Sequence, residues 1–154
     1  ILTLAQCGGS SSDAEGLAPS TIGSKVLNMM VTGITDAAID LPDILNITTG
    51  DNGAFIAQTQ GEDIDMWNGA GIYSYTKTGK NTAELSLSYN RNDGSSSEPN
   101  TLVSTIRIPQ LTFENASHAS SGEGGASISY MKAEDRQPIP IDGITISVNI
   151  ISQS

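Results

Sequence analysis

An antiparallel all-β fold is what this 154-residue sequence predicts, built either as a meander barrel of about eight to ten strands or as a sandwich. Three observations predict it. Apolar and polar side chains alternate with a period of two in several stretches. Turn-forming residues recur about every 8 to 14 positions along the chain. No stretch carries the apolar repeat of a long helix.

The elements follow in chain order. "KVLNMMVTG" is a compact apolar run stopped by Gly33 and reads as the first strand. "DAAIDLPDIL" has a brief helical composition that Pro42 breaks. "ILNITTGDNGAFIAQTQ" reads as two short strands around a Thr-Gly-Asp-Asn-Gly turn.

The clearest signal is "GIYSYTKTGKNTAELSLSYN". Ala83, Leu85, Leu87 and Tyr89 alternate with Glu84, Ser86 and Ser88, and Tyr73 and Tyr75 alternate before the turn. A two-residue loop would set each tyrosine opposite Glu84 or Ser86. A three-residue loop, Gly79-Lys80-Asn81, pairs Tyr75 with Leu85 and Tyr73 with Leu87 and keeps one apolar face, so the odd-length turn is expected. Asn81 tolerates the left-handed conformation that such a loop usually needs.

"TLVSTIRIPQLTFEN" places Leu102, Ser104, Ile106 and Ile108 on one phase, with Val103, Thr105 and Arg107 on the other. Pro109 has no amide donor and should mark a bulge, an edge or a break. "ASISYMK" and "ITISVNIIS" supply two further strands.

Composition bounds the function. A net charge of −10 and a pI near 4.2 oppose nucleic acid and anionic lipid surfaces as partners. The ordinary consequence is solubility, and a divalent cation is the partner class the sign would favour. One cysteine excludes an internal disulfide and a cysteine zinc site, so the fold must rest on its core. No apolar run after position 5 approaches the roughly 18 residues needed to span a bilayer.

Residues 8–24, "GGSSSDAEGLAPSTIGS", are small and polar and read as a flexible tether. Residues 1–7 then form the end of a targeting segment, and residues 25–154 a single β-domain, expected as a monomer.

The sequence contains no catalytic constellation. A serine nucleophile needs a base, and His118, the only histidine, lies in the small-residue segment "NASHASSGEGG". Glu62, Asp63 and Asp65, and likewise Asn90, Asn92 and Asp93, supply oxygen ligands at spacings that miss the calcium-loop pattern. Turn chemistry accounts for them, and no metal or cofactor is implied. Trp67, Tyr73 and Tyr75 are close in sequence and are the candidate stacking platform for a sugar or a small apolar ligand, with core packing as the competing explanation. Asn46-Ile-Thr48 and Asn115-Ala-Ser117 match the glycosylation sequon, a pattern common by chance.

Two resemblances add to this reading. Leu4-Ala5-Gln6-Cys7 resembles the lipobox of bacterial lipoproteins, with Gln6 standing where that pattern has a small residue. The resemblance implies that Cys7 is diacylated and that the protein is held on a membrane in the cell envelope. Cleavage after Ala5 by an ordinary signal peptidase, giving a secreted protein, and an incidental cysteine are the other readings of this segment. "YSYTKTGKNTAELSLSYN" followed by "LTFENASHASSGEGGASISY" resembles a Tyr-x-Tyr-x-Lys-Thr-Gly-x-Asn-Thr-Ala motif of uncharacterised β-domains in secreted bacterial proteins, which implies no activity. A strand preceded by Gly23-x-Lys25 and a meander of strands also resemble the lipocalin-like, or calycin, barrels, without their usual tryptophan.

The expectation is an extracytoplasmic, lipid-anchored β-domain with a non-enzymatic binding or surface-structural role. The alternatives are a hydrolase acting on glycans and an adhesive module pairing through strand edges.

Overall fold

The computed structural model describes residues 16–32, 44–59, 68–92, 102–131 and 138–151. They form nine strands: β1 (Val26–Thr32), β2 (Ile44–Thr49), β3 (Ala54–Thr59), β4 (Asn68–Lys77), β5 (Thr82–Asn92), β6 (Leu102–Asn115), β7 (His118–Ser120), β8 (Ala126–Met131) and β9 (Pro138–Ile151). Every pairing is antiparallel, consecutive strands from β1 to β7 are neighbours, and β1 pairs with β9 from Val26↔Ile151 to Thr32↔Thr145. The sheet is therefore a closed barrel of the calycin-like, up-and-down kind, and the sandwich alternative is excluded.

Nine strands make eight staves because β7 and β8 share one position. β7 lies between the ends of β6 and β9, pairing with Thr112–Asn115 and Ser147–Asn149. β8 continues between the same two strands, pairing with Thr105–Arg107 and with Pro138–Ile144. The Ser121–Gly125 excursion between them stays attached to β9: Ser121 N–H donates to the Ile146 carbonyl, and Ile146 N–H donates to Ser121 Oγ.

The two 14-residue strands bend through bulges. In β6, Ala83↔Leu111 and Leu85↔Ile108 leave Pro109 and Gln110 together opposite Glu84, so the proline sits in a bulge, one of the three outcomes its missing donor predicts. The extra residue switches the buried phase from Ser104, Ile106 and Ile108 to Leu111 and Phe113. β9 does the same at Asp142-Gly143, where Gly143 adopts φ 74° and the buried set passes from Ile141 to Ile144, Ile146 and Val148. A strand without such a bulge would carry its second apolar half to the outside of the barrel.

The β4–β5 hairpin has the expected register, Tyr75↔Leu85 and Tyr73↔Leu87, around Gly79-Lys80-Asn81. One detail differs. Ser24 is the only non-glycine residue with positive φ among the described residues, so Asn81 does not supply a left-handed position. Thr78 and Gly79 N–H both donate to the Thr82 carbonyl and close the loop without one.

The inner face of the wall is apolar, and Met30, Ile56, Ile72, Val103 and Ile151 are the large apolar side chains exposed on the described strands. Met29, Ile47, Ala57, Leu87, Ile108 and Ile146 expose 0 % of their surface, so no water-sized void touches them. The tether reading fails at residues 16–24, where Ala18 and Ile22 are buried and belong to the core cluster.

The face assignment predicts that Leu85→Asp or Leu87→Asp will destabilise the protein by several kcal/mol, through a buried unpaired charge. Ser86→Asp, on the outward phase, should cost well under about 1 kcal/mol. Denaturant unfolding of the three variants measures the difference, and equal losses would contradict the register.

Candidate functional site

The strands meet the chain's short connections at one end of the barrel: the turns at 50–53, 78–81 and 116–117, together with the start of β1 and the end of β9. Residues 16–24 lie across this end as a strap. Its amides and carbonyls are bonded to the barrel at several points. Ala18 N–H donates to the Lys80 carbonyl at 3.0 Å and Leu17 N–H to Asn81 Oδ1 at 3.0 Å. Gly16 touches the same turn so closely that a Cβ there would meet the Lys80 carbonyl oxygen at 2.1 Å, which only glycine avoids.

The far side of the strap is held by Thr49, one of two buried polar residues in the described core. Its Oγ1 accepts from Lys25 N–H at 3.0 Å and donates to the Ile22 carbonyl, while its own N–H donates to the Lys25 carbonyl at 2.9 Å. Ser24, at φ 55°, donates from Oγ to Asp51 Oδ1 at 2.9 Å.

The structure brings together two of the three aromatic residues singled out as a stacking platform. Tyr73 and Tyr75 share the inner face of β4 and pack against the core, and Trp67 lies outside the described residues. Both hydroxyls are engaged. Tyr75 donates to the Pro19 carbonyl of the strap at 2.7 Å, and Tyr73 donates to the Gly50 carbonyl of the β2–β3 turn at 2.7 Å. Burial pushes the Tyr75 phenol up to about 12. Burial, and then the Asp51 charge, raises that of Tyr73.

The Tyr-x-Tyr-x-Lys-Thr-Gly-x-Asn-Thr-Ala stretch is thus a latch. Tyr75 and Asn81 hold the strap, Thr78 and Thr82 close the turn, and Ala83 is buried beneath it. The Asn81 carbonyl also accepts from Phe113 N–H at 2.7 Å, tying the turn to β6. Sequence reasoning missed Thr49 and the strap's Pro19 and Ile22. A polar residue in the inward phase of Leu45, Ile47 and Thr49 was the available signal.

Other features are quickly placed. The two ring nitrogens of His118 face Asn149 Oδ1 at 2.6 Å and Glu114 Oε2 at 3.7 Å. Cys7, the Glu62, Asp63 and Asp65 cluster, and Asp93 lie outside the described residues. Among the described residues no group of three histidine, cysteine or acidic side chains is placed to hold a metal. No described helix is long and apolar enough to cross a membrane.

Three surface hollows are lined by described residues. One of about 520 Å³ lies between the strap, Lys25 and Ala116, and two of about 370 and 270 Å³ flank Ala70 and Gly71 on the outer wall. Ile56, Ile72 and Val103 are exposed around the latter pair, and Ile56↔Ala70↔Asn90↔Val103 form one row across four strands. None of the three hollows has a carboxylate in its lining.

Charge is unevenly distributed along the chain. The described residues contain five basic and five acidic side chains, so the net charge of −10 belongs to the remainder. Residues 33–43, 60–67 and 93–101 carry −3, −3 and −2, residues 132–137 balance, and Asp13 and Glu15 supply the rest. Those four internal segments join strand ends at the end of the barrel opposite the strap.

No protein-family model, curated protein or solved structure matches this chain.

Thr49→Val keeps the shape and removes the hydroxyl, leaving Lys25 N–H and the Ile22 carbonyl without their partner. We expect a loss of about 1–3 kcal/mol by denaturant unfolding. An unchanged stability would mean that the strap does not depend on Thr49.

The Tyr75 contact is also pH-dependent. The fold favours the neutral phenol, whose unfolded value is 10.0 and folded value about 12. Its contribution is complete below pH 10 and is lost as pH rises towards 12. Thermal unfolding across that window should fall more steeply for the wild type than for Tyr75→Phe, and parallel curves would contradict the assignment.

Proposed function

We propose that this protein is a non-enzymatic surface module of the bacterial cell envelope: a rigid barrel held on the membrane through acylated Cys7, with its binding or structural role carried on its exterior. The observation that carries this reading is the filled interior. Met29, Ile47, Ala57, Leu87, Ile108 and Ile146, spread around the wall, expose none of their surface, and the strap lies across one end.

Adhesion through strand edges loses its basis, since closure by β1 and β9 leaves each described strand paired on both sides. A glycan hydrolase, the reading from another class, requires two carboxylates facing across a cleft.

The anchor is supported by the lipobox resemblance of Leu4-Ala5-Gln6-Cys7, and secretion after cleavage behind Ala5 is its competitor. Cells expressing the full gene should incorporate labelled fatty acid into this protein and keep it in the membrane fraction. Cys7→Ser should abolish the label. A wild-type protein that remains soluble and unlabelled would overturn the anchor.

The surface reading predicts no saturable binding of an apolar fluorescent probe to the purified protein. Saturable uptake near one probe per chain, with a thermal stability that rises as probe exceeds its dissociation constant, would replace the surface reading with an internal ligand.

A further inference from the structure

We propose that the strapped end of the barrel is the surface this protein turns to the bilayer, so that the strand ends from which the acidic connections leave face away from it. The inference rests on the reading of Cys7 as the anchor and adds a direction to it.

The chain leaves the barrel at a fixed point. Gly16 and Ala18 are pinned on the β4–β5 turn through Lys80, so everything upstream departs from the strapped end. Nine residue steps separate Cys7 from Gly16, a contour of roughly 30 Å at full extension. β4 has 10 residues, which at the usual rise and barrel tilt spans roughly 25 Å along the axis. To put the opposite end on the membrane, the link would have to run back along the whole wall and then reach the headgroups, exhausting its contour. With the strapped end down, the same link needs no particular conformation, and chain entropy favours that arrangement.

Charge gives the same direction independently. The four internal connections, which leave from strand ends away from the strap, carry −8, whereas Lys25, Lys77 and Lys80 at the strapped end nearly offset Asp51, Glu114 and the link's Asp13 and Glu15. A bilayer surface containing anionic lipid repels the first far more than the second.

The test uses the single thiol. The full chain is coupled through Cys7 to a maleimide-headgroup lipid in phosphatidylcholine nanodiscs that also carry a gadolinium-chelating lipid. Methyl signals are then compared between Ala18 and Ile22 in the strap and Ile44 and Val103 near the opposite end. Paramagnetic broadening several-fold greater at Ala18 and Ile22 is the expected result. Equal broadening at the two ends, or a reversed gradient, would overturn the orientation. The coupling is chemical, so this outcome does not depend on acylation in cells: an absent fatty-acid label removes the natural anchor, and a flat gradient removes the orientation.

Discussion

The main-chain ladder between β1 and β9 is the constraint on which the rest of this structure depends. Seven residue pairs join the first strand to the last, and they turn a meander with two exposed edges into a wall with none. Closure fixes the inside of the barrel, and every inward position must then be apolar or have its polar atoms matched. It also sets a demand on the longest strands. β6 and β9 each run 14 residues around a curved wall and must change face part-way along. The bulges at Pro109-Gln110 and Asp142-Gly143 meet that demand by adding one residue to one side of the ladder, after which the apolar phase of each strand points inward again.

Much of this was legible in the sequence where the physics is local. The β4–β5 register follows from period-two patterning, because only an odd loop puts Tyr73 and Tyr75 on the side of Leu87 and Leu85. The β6 bulge is foreshadowed by a proline that cannot donate to the ladder. The matching bulge in β9 went unread, although the three-residue spacing from Ile141 to Ile144 breaks the alternation there. The strap was misread for a different reason. Its composition is that of a linker, and it is ordered largely by its own amides and carbonyls, which every sequence possesses. Partners such as Lys80 and Asn81 lie more than 60 residues away, and composition holds no record of them.

The tyrosine motif shows how one residue pattern serves two scales. Locally it writes a hairpin, with alternating residues on either side of a glycine turn. Globally its polar atoms reach elements remote in sequence, the Tyr75 hydroxyl to Pro19 and the Asn81 side chain to Leu17. A hydroxyl that donates to a backbone carbonyl in a partly buried site is already satisfied, and using it to recognise a ligand would require breaking that bond first. Tyr75 thereby supports the strap, and Tyr73 the β2–β3 turn. The strap in turn keeps Ala18 and Ile22 over an end of the core that three short turns leave uncovered.

The described core is aliphatic and capped at one end by the strap, and charge is divided between the strands and the rest of the chain. The described wall is electrically balanced, so strands of a closed sheet pack without a net field to oppose them. The acidic excess belongs to the part of the sequence outside the described strands, mostly to the segments that join strand ends away from the strap. The Ser, Thr and Asn of the outer wall keep the scaffold hydrated, and the aliphatic side chains of the inner face supply its core. The surface reading proposed above rests on the packing of the core more than on any one side chain: where the described inward side chains are buried and the described strands are paired on both sides, the outer face is what a partner would meet first.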